Sequence, residues 1–166
     1  MIRSCAVLLA AVCFTNASWA DALPKPTGPV ILTITGNIEN TNDGDIAQFD
    51  RAMLEGLGLK EIKTNTPWYN TLSTFEGVPF NEVMKYVGAN GETVRAIALN
   101  DYETEIPMSD AVGPDAILAM KLNGQYMDVR DKGPIFVVYP YDSSQTYQTQ
   151  TYYSRSAWQV TRFIVE

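Results

Sequence analysis

Asp101, Glu103 and Glu105 recur at every second residue, the first pattern in this 166-residue chain with the makings of chemistry. On a strand they share one face at a spacing of about 7 Å, a separation that suits the acid and base of a glycosidase. The same spacing describes a solvated strand face, and nothing in the sequence buries one carboxyl against an aromatic to raise its pKa. The opposite face, Tyr102, Thr104 and Ile106, is expected to point inward. Residues 39–50 can also be laid on a calcium loop, with Gly44 at its sixth place and Asp43 and Asp45 beside it. Glu39, Thr41 and Asp50 then fall at the first, third and twelfth places, a poor ligand set. A turn followed by an Asp-capped helix accounts for the same residues better.

Neutral and cationic side chains supply the other candidates. Thr64-Asn65-Thr66-Pro67-Trp68-Tyr69 closes a strand with small polar residues and then two aromatics. Strand ends that turn into loops often carry binding groups; Trp68 either offers a flat face for stacking or caps the core. Trp158, next to Val160 on the last strand, reads mainly as core. Arg130 and Arg155 are placed to fix a carbonyl or an anion through paired hydrogen bonds, or to pair with neighbouring acids at the surface. Pro140–Ser154 stands apart in composition: Tyr141, Tyr147, Tyr152 and Tyr153 alternate with glutamines and hydroxyls and almost no aliphatic residue. Such a stretch is either a ligand-facing loop or an edge hairpin built on Thr, Tyr and Gln.

What the chain lacks narrows the chemistry further. It has no histidine, and its two cysteines are Cys5 and Cys13. Residues 1–20 read as a secretory signal: Arg3 is the charged start, Ala6–Phe14 the apolar run, and Ser18-Trp19-Ala20 a small-x-small cleavage site. The run is shorter than the roughly 20 apolar residues that span a bilayer. Cys13 follows it as a lipoprotein cysteine would, but Val12 sits where a small residue is wanted. Cleavage would leave 146 residues with 11 Lys+Arg against 19 Asp+Glu, a net charge of −8. That mature chain has neither thiol nor imidazole, which rules out Ser-His-Asp and Cys-His catalysis, His or Cys zinc sites, and His- or thiolate-bound haem. Its length suits a single domain held by its own core. The acidic balance argues against a nucleic-acid partner, which demands a basic footprint.

The elements expected to position these residues follow from periodicity. Residues 21–29, with three prolines, form an extended leader, and the domain runs over 30–166. Strands are expected at Val30–Thr35, Leu59–Thr66, Thr93–Asn100, near Glu103–Ile106, at Ile117–Leu122 and Gln125–Val129 around a type I′ turn at Asn123-Gly124, and at Ile135–Tyr139 and Ala157–Val165. One helix is expected to open at Asp45 with Gln48 completing a capping box, its stripe being Ile46, Phe49, Met53 and Leu57. A second spans Pro79–Val87, with Phe80, Val83, Met84 and Val87 on one face and Gly88 as its stop. Two main helices among some eight strands, without regular alternation, give a mixed α+β domain.

Four segments in order resemble the sulfite-oxidase-like, or oxidoreductase molybdopterin-binding, domain: Thr74–Phe80, Ala98–Pro107, Leu118–Gln125 and Gly133–Pro140, with Ser154–Gln159 matching that family's last strand. The resemblance implies the family's α+β fold and a cleft that holds a pterin. Three departures accompany it. The family's enzymes carry a molybdenum-ligating cysteine near the end of the second strand, where this chain has Thr64–Thr66. They usually carry an arginine where Phe136 stands and a lysine where Ala157 stands. The metal ligand and two cofactor-phosphate contacts are therefore missing together, so molybdopterin itself would lose its anchors.

The chain is most similar to a small exported subgroup without that cysteine, some members of which are periplasmic pterin-binding proteins. These pass their ligand state to a membrane enzyme that makes or degrades cyclic di-GMP. The expectation is thus a periplasmic protein that binds a metal-free, reduced pterin or a similar heterocycle and signals to a membrane sensor with a periplasmic domain. Trp68 and Tyr141 would stack or wall the ring; Asn100, Thr66, Tyr102 and Arg130 or Arg155 would complete the site. A molybdopterin oxidoreductase with a non-cysteine ligand and a ligand-free interaction module docking through Pro140–Ser154 are the alternatives.

Overall fold

Alternating burial along ten short strands sorts the chain into two sheets. A computed structural model describes residues 23–166; the expected signal segment, with both cysteines, lies outside the described residues. The first sheet contains β1 (Val30–Gly36), β2 (Ala47–Asp50), β5 (Thr93–Ala98), β6 (Glu103–Pro107) and β10 (Val160–Val165). Its order is β2-β1-β10-β5-β6, with β1 and β10 parallel and the other pairs antiparallel. The second sheet is built from β3 (Lys60–Thr66), β4 (Tyr69–Pro79), β7 (Ile117–Leu122), β8 (Gln125–Tyr126) and β9 (Phe136–Val138). β4 lies between β3 and β7, and β8 and β9 both pair with β7.

The expected α+β class holds, but with four short helices in place of two main ones: α1 (Arg51–Gly56), α2 (Phe80–Tyr86), α3 (Met108–Ala111) and α4 (Gln150–Arg155). Among the described residues only α2 reaches seven residues. It begins one residue later than expected, with Pro79 ending β4 as its N-cap, and its Phe80 stacks on Phe163 of β10 at 5.0 Å. One continuous buried cluster joins Leu32 and Ile34 of β1, Phe75 and Val78 of β4, Val83 and Met84 of α2, and Val137 of β9. No helix among the described residues is long and apolar enough to cross a membrane.

The helix expected from Asp45 is a strand for its first half. Residues 47–50 pair with β1, and Asn42 clips Gln48 by donating to its carbonyl and accepting from its amide, both at 2.8 Å. The true N-cap is Asp50, whose carboxylate accepts from the Met53 amide at 2.9 Å and from the Thr27 and Gly28 amides at 2.8 Å. One buried carboxylate thereby starts α1 and ties residues 27–28 to the sheet. The expectation missed because a capping box and a strand that borrows a side-chain clip look alike over four residues.

Three further expectations change. Asp101 lies in a left-handed turn with φ of 61°, so Asp101, Glu103 and Glu105 do not share one strand face. Glu103 faces solvent and pairs with Arg95 at 3.6 Å. Tyr102 is 47% exposed rather than turned into the core, because its strand begins only at Glu103. Pro140–Ser154 is neither hairpin nor irregular loop: two 3₁₀ turns, Tyr141–Ser143 and Gln145–Tyr147, lead into α4. The Asn123-Gly124 turn has φ of 50° and 80°, both positive as a type I′ turn requires.

Asp50→Ala removes a helix cap worth about 1 kcal/mol and unties the leader, so urea denaturation should show a lower midpoint. Amide donors from Met53 and Gly28 hold the Asp50 carboxyl below its usual range, against the opposing pull of burial. Its stabilisation is therefore complete above the ordinary carboxylate pKa and fades as pH falls through the lowered folded value. The gap in midpoint between the parent and the variant should close on acidification; a gap that stays constant would show that the carboxylate's charge carries none of it.

Candidate functional site

The turn between β3 and β4 sets Trp68 among four other aromatic rings. Thr66 Oγ1 accepts from the Trp68 and Tyr69 amides at 3.3 and 3.2 Å, which fixes the turn and aims Trp68 away from both strands. The Trp68 ring then meets four others edge-on: Phe136 at 5.3 Å, Trp158 at 5.6 Å, Tyr153 at 5.8 Å and Tyr141 at 5.9 Å. Edge-to-face contacts of this kind contribute roughly 0.5–1.5 kcal/mol each beyond burial.

Trp158 is set by the segment that enters β10. Gln159 takes φ of 55°, donates its amide to the Lys132 carbonyl, and reaches the Val129 carbonyl with its side chain at 2.6 Å. Lys132 in turn lies 5.2 Å from the Trp158 ring and 4.9 Å from that of Tyr69. Trp158 is half-buried, so the expectation that it belongs mainly to the core gives way to a wall position.

Between these walls lies an open cleft of about 400 Å³. Pro67 and Trp68 form one side, Asn100 and Tyr102 of the β5–β6 turn another, Gln150, Tyr153 and Ser154 of α4 a third, and Trp158 a further wall; Ser156 and Ala157 complete the lining as its floor. The Asn100 side chain accepts from the Tyr102 amide at 3.2 Å, and the Tyr102 hydroxyl donates to the Ser154 carbonyl at 3.3 Å, joining two of the sides. The volume falls within the roughly 300–1,000 Å³ of small-molecule sites, and the lining mixes aromatic faces with a few amides and hydroxyls.

Of the residues named from sequence, Trp68, Asn100 and Tyr102 line the cleft. Tyr141 stands behind Trp68, buried, with its hydroxyl 2.6 Å from Ser156 Oγ; burial pushes this phenol's pKa up. Ser156 already donates its proton to the Tyr152 carbonyl at 2.7 Å, so Tyr141 is the donor of the pair. Thr66 shapes the turn rather than the lining. Arg155 points away to Asp110 at 2.9 Å and stacks its guanidinium over Tyr152, and Arg130 is exposed outside the lining. Tyr153, Ser154, Gln150 and Ser156 were missed individually because their helix is too short to show a periodicity.

No lysine, arginine or carboxylate lines the cleft among the described residues. Phe136, at the arginine position of the resembling family, is buried beneath Trp68 and Trp158, and Ala157, at the lysine position, is 2% exposed on the floor. In the region Thr64–Thr66, where the family's enzymes carry the cysteine, Thr64 Oγ1 is taken up by the Asp142 amide at 3.0 Å and the Asn65 carbonyl at 3.3 Å, and Thr66 Oγ1 by the turn. Among the described residues no group of three or more His, Cys, Asp or Glu is gathered to hold a metal. The donor set is neutral, with no thiolate for a molybdenum ion and no cation for a phosphate tail. It does fit a flat, uncharged ring with hydrogen-bonding edges.

Comparisons agree with this fold. No curated protein matches the chain in sequence. Among solved structures it is similar to the sulfane dehydrogenase SoxCD from Paracoccus pantotrophus, with a TM-score of 0.57 at 15% identity. The match covers 81% of this chain and 37% of that one, so the chain spans well under half of the larger protein. Residues 46–144, more than half of the chain, match the model of the oxidoreductase molybdopterin binding domain, and the chain belongs to that sulfite-oxidase-like family.

Proposed function

We propose that the protein is a periplasmic binding protein that captures a reduced pterin without molybdenum and relays the occupancy of its cleft to a membrane-bound sensor. The observation that carries this reading is a ring-sized cleft walled by Trp68, Trp158 and Tyr153, in a pterin-binding family, with no charged side chain among its described lining residues. A pterin without phosphate or metal is flat and neutral, and its edge offers several donors and acceptors. Trp68 and Trp158 supply the faces, and the side chains of Asn100 and Gln150 supply edge partners.

Periplasmic location is supported by the signal-like residues 1–20. The partner, a membrane enzyme making or degrading cyclic di-GMP, is proposed from the subgroup resemblance. A ligand in the cleft touches the Pro67–Trp68 turn, the β5–β6 turn and α4 together, so its departure would loosen three segments at once. This is a physical route from occupancy to surface shape.

Family membership favours a second reading, a molybdopterin-dependent oxidoreductase. Protein purified from a host that makes the cofactor separates the two: molybdenum far below one per chain, with a pterin found by fluorescence and mass spectrometry, supports the binding protein, and stoichiometric molybdenum overturns it.

Titration with tetrahydropterin should quench tryptophan fluorescence with micromolar or tighter affinity. Trp158→Ala should weaken binding by about 1–3 kcal/mol, roughly 5- to 160-fold, the usual worth of a stacking ring. Trp68→Ala should do the same and also lower the melting temperature, because four rings lose their common neighbour. Unchanged affinity in both folded variants would place the ligand elsewhere.

A further inference from the structure

The aromatic packing does not stop at the cleft. Trp68 contacts Tyr141, Tyr141 contacts Tyr139 at 6.4 Å, and Tyr139 stacks on Tyr147 at 5.9 Å with an interplanar angle of 25°. Tyr152 braces the far end, 5.0 Å from Tyr139 and 4.9 Å from Tyr147. The result is a continuous column from the cleft wall to the half-buried Tyr147.

Packing alone would be served by phenylalanine, which leaves no hydroxyl to satisfy in the interior. Here each step after Trp68 is a phenol, and the partners of the hydroxyls differ along the column. Tyr141 has Ser156, which can accept a hydrogen bond but not a proton. Tyr139 has the Asp110 carboxylate at 3.2 Å, and Tyr147 has that of Asp115 at 2.8 Å. Asp110 also pairs with Arg155 at 2.9 Å, whereas Asp115 takes part in no ion pair among the described residues.

We infer that Trp68, Tyr141, Tyr139 and Tyr147 form an electron relay between the cleft and the surface, with Tyr147–Asp115 as its outer terminal, through which a reduced heterocycle in the cleft gives up an electron to an outer-sphere one-electron acceptor that never enters it. The acceptor takes one electron from the Tyr147 ring, the phenol O–H bond breaks, and the proton moves to the Asp115 carboxylate. A neutral tyrosyl radical then stands beside a carboxylic acid. An electron from Tyr139 reduces the radical while the proton returns from Asp115; Tyr139 exchanges its own proton with Asp110 in the same way. The deficit passes from Tyr139 to Trp68 across the Tyr141 ring, which keeps its O–H bond and is not itself oxidised; Trp68 becomes a cation radical, and the heterocycle reduces it by giving up the one electron that the acceptor gained. The donor's identity rests on the pterin reading, but the relay itself belongs to the protein alone.

The test therefore uses ligand-free protein. Photogenerated tris(bipyridine)ruthenium(III) supplies the oxidant, and transient absorption and electron paramagnetic resonance follow tryptophan and tyrosyl radicals. The intact chain should show a tryptophan radical that decays into a tyrosyl radical. Tyr139→Phe, which keeps the ring, should slow that decay severalfold. Tyr147→Phe should cut the tyrosyl yield severalfold, and Asp115→Asn should do so while abolishing the slowing in deuterated water. A tyrosyl signal that keeps its yield and kinetics in Tyr139→Phe, Tyr147→Phe and Asp115→Asn, or that disappears only in Tyr69→Phe or Tyr126→Phe, overturns the relay. Either result leaves the tetrahydropterin titration unaffected, so the two readings fail separately.

Discussion

Indole edges set against the faces of neighbouring rings hold this site together. Trp68 stands on a turn between two strands of one sheet, yet the rings around it come from β9, from the first 3₁₀ turn, from α4 and from the segment entering β10. Those segments follow one another between Phe136 and Trp158, far from Trp68 in the chain. Quadrupole-directed contact lets one side chain orient all of them, since each ring is constrained in angle as well as in distance. The cleft is what remains on the solvent side of that arrangement. Its shape is a by-product of how the rings tile, which is why the same residues read equally well as core and as wall.

Charge is handled by exclusion. The protein is acidic overall, but the acids and bases near the cleft are spent on one another, on backbone or on a phenol: Arg155 on Asp110, Asp142 on Asn65, Asp131 on Tyr69 and Lys132. At the position where the wider family offers an arginine to a phosphate, Phe136 fills the space under two tryptophans. A guanidinium there would have to be desolvated among rings without an anion to meet it. The neutral lining and the aromatic packing beneath it are thus one feature.

The larger strands and α2 were legible because each carries a period that survives local noise: Ile117–Leu122 with its Asn-Gly turn, and Phe80, Val83, Met84 and Val87 behind a proline. β4 was not, because Asn70–Leu72 at one end is solvent-facing and the strand shifts register at Gly77. A Cβ at that glycine would run into the Leu118 carbonyl oxygen, so it serves a close approach of two backbones that no one-strand pattern records. Trp68, Asn100 and Tyr102 could be named as site residues from turn chemistry and family likeness. Tyr153 and Ser156 could not, because their place in the cleft depends on a one-and-a-half-turn helix held by long-range contacts.

The place of β10 bears on how the molecule comes into being. Residues 160–165 sit between β1 and β5, parallel to the one and antiparallel to the other, and so join two otherwise separate strand pairs. A chain emerging from its N-terminal end can build the β3–β4–β7 sheet early, yet the first sheet stays in two unjoined pieces until the segment after Trp158 is available. Such long-range closure is slow. The same segment carries Trp158 into the cleft, so the ligand site and the last sheet closure form in one event, and no partly made chain presents a finished cleft.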